Sequence, residues 1–438
     1  MAEVYQWRKT PYINLIIAAF LGVGTSVGAI VILNFGLIQF NIIRLVGPDR
    51  VTAVFGTASG ISSLAALVLG LIGGVIADKT RLKFGRRRFW MIAGSIGGAL
   101  SMLGLTYAIS VPMLVIAWCL LQFFYSMVSL SCYAIVAEQV DPDKFGRASG
   151  LIGAAFPAFV MIGQMIMGAF SDSSVQSKLI AIIFVQLICG VVAAVLVKDN
   201  NFSNAAAAKK KGFIWKEIRN FYPSYKQYPS FTWALLTKIF IQVSNAGLTL
   251  MTLFYIARFH FSEGRIFQIN GITSPSIMVM VAAGLIGGFL SDKVKKQKPF
   301  VIGSALILAV CWIIFAFSFN ITWIIIGNFV LNFGFGMFSA VDNALVNRIL
   351  PSKETAGKDL SIINNSAPLA NSLVNFAAPA LIGLGVSWFG GDGYIFFFLV
   401  LAASAVFSAL SVIPIPELDA QKGNQSEMDE TPLNTLIN

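Results

Sequence analysis

Charge is scarce in this sequence. Only 12% of its 438 residues are Asp, Glu, Lys or Arg, about half the share found in soluble domains. It has one histidine and four cysteines. Cys119, Cys132, Cys189 and Cys311 all fall inside apolar runs, without metal-ligand spacing, and read as reduced packing residues rather than a disulfide framework. His260 stands at the end of an apolar run beside Arg258. It reads as an interfacial residue, with a proton relay as the alternative. The sequence contains no nucleotide-binding loop, metal cluster or nucleophile constellation. It is therefore read as neither an enzyme nor an ATP-driven pump, with no metal and no cofactor.

Apolar residues dominate: 57% are hydrophobic and the mean hydropathy is +0.78. Twelve helix-length runs follow one another, at about 12–40, 51–78, 89–110, 112–137, 148–170, 178–197, 229–258, 266–291, 299–319, 322–347, 360–388 and 393–414. Most are too long and too evenly apolar for the alternating strands of a membrane barrel. The expected fold is an all-α membrane protein of 12 transmembrane helices. The N-terminal "MAEVYQWRKTPY" leads into a run longer than a signal-peptide core and is read as preceding an uncleaved first span.

A net charge of +11 could suggest nucleic acid, but the basic residues occupy short links between runs, so no nucleic-acid partner is expected. They fall in alternate links: Lys79 to Arg88, Lys144 and Arg147, Lys198 to Lys226, Lys293 to Lys298, and Arg348 to Lys358. Only Arg44, Arg50, Lys178, Arg258 and Arg265 lie in the other links, and Lys238 alone lies within a run. The positive-inside rule then places both termini in the cytoplasm, with the protein in the plasma membrane. The basic stretch 198–228 separates an N-terminal six-helix bundle (1–197) from a C-terminal one (229–416). Residues 417–438 form a polar cytoplasmic tail, expected to be disordered.

The halves repeat. "GLIGGVIADK" from Gly70 recurs as "GLIGGFLSDK" from Gly284, so that Asp78 matches Asp292 at an offset of 214. Gly146 and Arg147 match Gly357 and Lys358, and Pro157 matches Pro368, all at an offset of 211. Two parallel halves are one repeat plan of secondary transporters.

The first copy continues as "TRLKFGRRRFW". The segment with Gly74, Asp78, Arg81, Gly85, Arg86, Arg87 and Arg88 resembles the signature loop of the major facilitator superfamily. Its expanded spacing, with Gly85 seven residues after Asp78, resembles that of the sucrose/proton and glycoside–pentoside–hexuronide:cation symporters. So do "GRASGLIG", "FSAVDNALVNRILP" and "ETAGKDLSIINNSAPLANSL". The resemblance implies two pseudo-symmetric six-helix bundles. It also implies a conformational latch: Asp78 facing the N-terminus of span 11 near Asp359, arginines paired with nearby carboxylates, and Asp292, Arg147 and Lys358 in equivalent roles. A helix N-terminus attracts a carboxylate, and such a latch would bias alternating access. The plain alternative is a loop that only orients the chain.

Ionisable residues inside spans cost ~2.5–3.5 kcal/mol on insertion scales and ask for a reason. Asp342 lies about six residues from the cytoplasmic end of span 10, and Lys238 about nine residues into span 7. At 1.5 Å per residue these depths are ~9 and ~13 Å. The expectation is a buried pair, with Asp342 accepting the coupling proton. Alternatively Lys238 snorkels to the interface and Asp342 serves structure. Spans 1 and 2 carry no Asp or Glu before Asp78, and Glu138 sits too near a loop. This departs from the melibiose-type pattern and disfavours sodium coupling, leaving proton coupling or facilitated transport.

The superfamily plan assigns substrate contacts to polar residues of spans 1, 4, 7 and 10, helped by 2, 5, 8 and 11. The candidates are Asn34, Gln122, Tyr125, Gln164, Gln242, Asn245, Asn332, Asn343, Asn365 and Asn371. Amides both donate and accept, which suits a neutral hydroxyl-rich ligand. Against a sugar, span 1 reads "FLGVGTSVGAIVIL" where such symporters carry glutamines. Pro157, Pro275, Pro368 and Pro379 can kink their spans. The leading expectation is a monomeric symporter of a sugar or glycoside with H+. The alternatives are a proton-driven exporter of drugs or amphiphiles and, more remotely, a non-transporting sensor.

Overall fold

The computed structural model describes residues 10–80, 82, 84–199, 228–348, 359, 362–363 and 365–415, with the side chains of Leu71, Val75, Asp78, Pro142, Asn343, Asn347 and Arg348 excepted. Arg81, Lys358, most of the 198–228 link and the whole 417–438 tail lie outside the described residues.

Among the described residues, twelve helices are long and apolar enough to span a bilayer. They are α1 (Tyr12–Val46), α2 (Val51–Lys79), α3 (Arg86–Thr106), α4 (Val111–Gln139), α5 (Phe145–Ala169), α6 (Val175–Leu196), α7 (Pro229–Phe259), α8 (Glu263–Val294), α9 (Lys298–Phe317), α10 (Ile321–Arg348), α11 (Ser366–Phe389) and α12 (Tyr394–Ser411). Each corresponds to one apolar run, since a backbone in hydrocarbon must satisfy its own polar groups. Hydroxyls inside the helices mostly donate to carbonyls a turn back, as Thr25 does to Leu21 and Ser95 to Met91.

α1 runs six residues further than its expected end at 40, and it does not stay straight. Residues Leu33–Leu37 form a π-turn in which Phe35 and Gly36 leave helical geometry. Gly36 has φ of 114°, a conformation glycine adopts without Cβ strain. The equivalent break in the second half is a 3-10 turn at Gly247–Leu250 within α7, 214 residues after Leu33. α7 ends on His260, whose φ of 53° is left-handed.

Packing repeats the same six pairings in each half. α1 packs on α4, α5 and α6, α2 on α4, and α3 on α4 and α6; α7 to α12 reproduce each of these. Two pairings break the symmetry: α7 touches α10 far less than α1 touches α4, and the last two helices of each half differ. α11 and α12 pack together, with Trp388 and Phe389 against Phe396, whereas α5 and α6 scarcely touch.

The halves meet through α2 on α11 and α5 on α8. Close approach at the second crossing depends on two glycines. A Cβ on Gly168 would lie 3.0 Å from Gly271 Cα, and one on Gly271 3.1 Å from Gly168 Cα. In a bilayer helix association rests on such van der Waals contact and on interhelical hydrogen bonds. Further ties lie at this same end of the bundle, the end at which α1 finishes. Asn270 donates to Phe35 O (2.9 Å), Gln39 to Thr249 O (3.0 Å), and Gln268 to Ser171 Oγ (3.2 Å).

Candidate functional site

The helix pair α7 and α10 brings two charges together inside the apolar zone. Lys238 Nζ lies 3.2 Å from Asp342 Oδ2, and their side chains are 10% and 0% exposed. Neither charge is affordable alone at this depth, so each acts as the other's counter-ion; breaking such a pair by removing one partner leaves an uncompensated charge.

Gln242 and Asn245 follow Lys238 by one and two turns and share its helix face. Both are half-buried, and neither side chain engages in a hydrogen bond among the described residues. Asn371 of α11 is in the same state. Gln122 Nε2 stands 3.5 Å from Ser62 Oγ, at the limit of a hydrogen bond. Tyr125 and Gln164 are buried, and the tyrosine hydroxyl and the glutamine Oε1 lack partners among the described residues. These groups retain hydrogen-bonding capacity that the fold does not use.

Other candidates are committed elsewhere. Asn34 donates to Ile30 O (2.9 Å), while its own carbonyl receives Gln39 Nε2 (2.8 Å); both bonds dress the α1 kink. Asn332 is bonded to Ser276 Oγ and to Asn328, an α8–α10 tie. Asn365 is half-buried just ahead of α11. The Asn343 side chain lies outside the described residues.

The sequence reading missed Gln39, Thr249, Asn270 and Asn375. Gln39 also accepts from Gly36 N (3.0 Å), and Thr249 Oγ1 donates to Asn375 Oδ1 (3.1 Å). Together they join the α1 kink to α7, α8 and α11. A single glutamine three residues after the glycine of an apolar run was the available signal.

Among the described residues, the basic stretch between α2 and α3 makes contacts within its own half. Glu138 Oε1 receives Arg86 (2.7 Å) and Arg87 (2.8 Å). Asp199 Oδ2 accepts from the backbone N–H groups of Arg87 (2.6 Å) and Arg88 (3.1 Å), closing the α3 N-terminus. Burial nonetheless pushes the Asp199 carboxyl above its ordinary range, with those two N–H groups acting against the shift. Arg88 caps Ala194 O and lies over Phe84. Gly85 bends with φ of 101°, and a Cβ there would fall 2.5 Å from Asp199 Oδ2. Gly74 lies within α2, the Asp78 side chain is outside the described residues, and Arg147 and Asp292 are exposed.

The sequence matches the model of the Major Facilitator Superfamily over residues 15–373. The chain belongs to this superfamily. It is thus an integral membrane protein of a transporter family, with a small-molecule substrate. It is 24% identical over 413 residues to the multi-drug resistance efflux pump PmrA homolog of Lactococcus lactis subsp. lactis, covering 94% of this chain and 95% of that protein. It is 25% identical over 312 residues to the multi-drug resistance efflux pump PmrA of Streptococcus pneumoniae, covering 70% and 74%. Among solved structures, the nucleoside transporter NupG superposes with a TM-score of 0.70 at 13% identity, covering 92% of this chain and 99% of that one. The D-xylose-proton symporter gives 0.65 at 15%, covering 92% and 97%. These structural likenesses concern the fold.

Proposed function

We propose that this protein is a proton-coupled secondary transporter whose coupling element is the Lys238–Asp342 pair, and that it carries a neutral, hydroxyl-rich solute such as a sugar or glycoside together with H+. The supporting observation is the pair itself, with Gln242 and Asn245 uncommitted on the same face as Lys238. A substrate that engages the Lys238 ammonium releases Asp342 to take a proton. The proton in turn releases Lys238 for the substrate. Each event favours the other, which is the reciprocity that symport needs. The expanded signature loop supports the same branch, with Asp78 as the latch to the α11 end.

A second reading is proton-driven export of amphiphiles, favoured by the two efflux-pump relatives and by the apolar first half of α1. In that case a lipophilic cation would pair with Asp342 in place of a proton.

Thermal unfolding of the purified protein across saccharides, glycosides and lipophilic amines would separate the two, because a ligand of the native state raises apparent stability. Stabilisation by a saccharide or glycoside is expected; stabilisation by amines alone would select export. With the stabilising compound in proteoliposomes, Asp342→Asn is expected to abolish accumulation driven by a pH gradient and to spare counterflow. Undiminished accumulation would remove Asp342 from the coupling role.

A further inference from the structure

The gap between α5 and α6 is a groove of about 420 Å³ floored by α1, within the size range of small-ligand sites. Its floor is made of small residues, Gly28 and Ala29, and its rim of Ile162, Ile166, Phe170 and Val185, each at least half exposed. An apolar rim on a spanning bundle faces hydrocarbon, so the mouth opens into the bilayer rather than into the space between the halves. The second half closes the same place by packing α11 on α12. The groove is therefore a departure from the repeat, not a consequence of it.

Its lining is not uniformly apolar. Gln186 is 1% exposed and lines the groove. Its Nε2 donates to Ser95 Oγ (3.3 Å), while Oε1 has no partner among the described residues. A buried amide oxygen left unpaired carries a desolvation cost that a donor would remove. The charged residue on the lining is Lys178, eight residues or ~12 Å along α6. Its Nζ is held by Ser171 O (2.9 Å) and Ser173 O, lies over the Phe267 ring and pairs with Glu263 Oε1 at 4.0 Å. The charge on the lining is thus already matched by Glu263, and the groove offers a charged guest no free counter-ion among the described residues.

We infer that this groove is a binding site for a neutral membrane-dissolved amphiphile, whose hydroxyl donates to Gln186 Oε1 and whose hydrocarbon chain lies on Gly28 and Ala29 between α5 and α6. It is separate from the proposed transport pair on α7 and α10.

The test is photolabelling of the full chain in nanodiscs with a diazirine-bearing long-chain alcohol, mapped by peptide mass and competed with 1-dodecanol. Label is expected on α1, α5 and α6 peptides around the groove. Dodecanol should compete better than dodecane, and tetraphenylphosphonium should compete poorly. Gln186→Leu is expected to weaken dodecanol competition by up to roughly tenfold, the scale of one neutral hydrogen bond, without changing that of dodecane. Ala181→Trp, at an exposed position on the lining, fills the groove without entering the core and should remove the label from a monodisperse protein. Label spread evenly over the lipid-facing helices, label retained in Ala181→Trp, or equal competition by dodecane or tetraphenylphosphonium would each overturn the assignment.

Discussion

Arg44 and Arg258 stand 214 residues apart and perform the same task in the two halves. Arg44 donates to Thr106 O (3.0 Å) and Ala108 O (3.1 Å), at the end of α3. Arg258 donates to Phe315 O (2.8 Å) and Ala316 O (2.9 Å), at the end of α9, and also pairs with Asp392. A cation at a helix C-terminus meets the negative end of its dipole and its unpaired carbonyls. The arginine of the second half is the more deeply committed, with its side chain 1% exposed. Arg258→Met is expected to cost ~3–5 kcal/mol, because Asp392 loses its counter-ion. Arg44→Met, at an exposed residue, should cost ~1 kcal/mol. Thermal unfolding of the two variants in one detergent gives the comparison, and equal losses would contradict it.

The buried pair makes a different kind of prediction. Lys238→Met removes the counter-ion of Asp342 and is expected to destabilise, by ~3–5 kcal/mol while the carboxylate keeps its charge and by less once it takes up a proton. Adding Asp342→Leu should recover most of that loss while transport stays absent. Recovery is read from unfolding temperatures of the single and double variants. Additive losses would mean that the two residues are not energetically coupled.

At the α2–α3 turn, Gly85→Ala is expected to destabilise by ~1–3 kcal/mol, from positive φ and the displaced Asp199. Asp199 itself carries a pH signature. Its carboxyl is raised in the fold, so the folded state binds the proton more tightly than the unfolded chain. Its contribution is fully present below the ordinary carboxylate range and is lost as pH rises through the raised value. The stability of the wild type relative to Asp199→Asn should therefore fall between acid and neutral pH. A difference that grows with pH would refute this.

Gly168 and Gly271 allow α5 and α8 to touch at the end where α1 finishes. Gly271→Leu cannot be accommodated there without separating the helices. Spin labels placed at the α5 and α8 ends should show a longer distance distribution in the variant than in the wild type. An unchanged distribution would show that this contact does not limit closure.

Much of the fold was legible because a spanning helix needs about 20 apolar residues, and such runs survive any detail of packing. The 214-residue repeat was legible in Asp78 and Asp292 because their glycine-rich surroundings are distinctive. Arg44 and Arg258 looked like exceptions to a charge count, since counting says nothing of which carbonyls a side chain reaches. Lys238 and Asp342 stood out as ions in apolar runs. Gln39 did not, because it lies one residue inside the expected end of span 1, where a polar side chain is ordinary. The α5–α6 groove left no trace in hydropathy, for an apolar helix reads alike whether its neighbour touches it or stands apart.

The kink in α1 has a consequence for how this end of the protein can open. Phe35 O and Thr249 O are satisfied by Asn270 and Gln39 from the opposite half. Parting the halves strips both carbonyls of these donors at membrane depth, where lipid offers no replacement. Water is the replacement available, so separation of the halves here and wetting of the path between them must occur as one event. On the proposed transport cycle, parting the halves at this end would admit an aqueous column rather than a lipid seam.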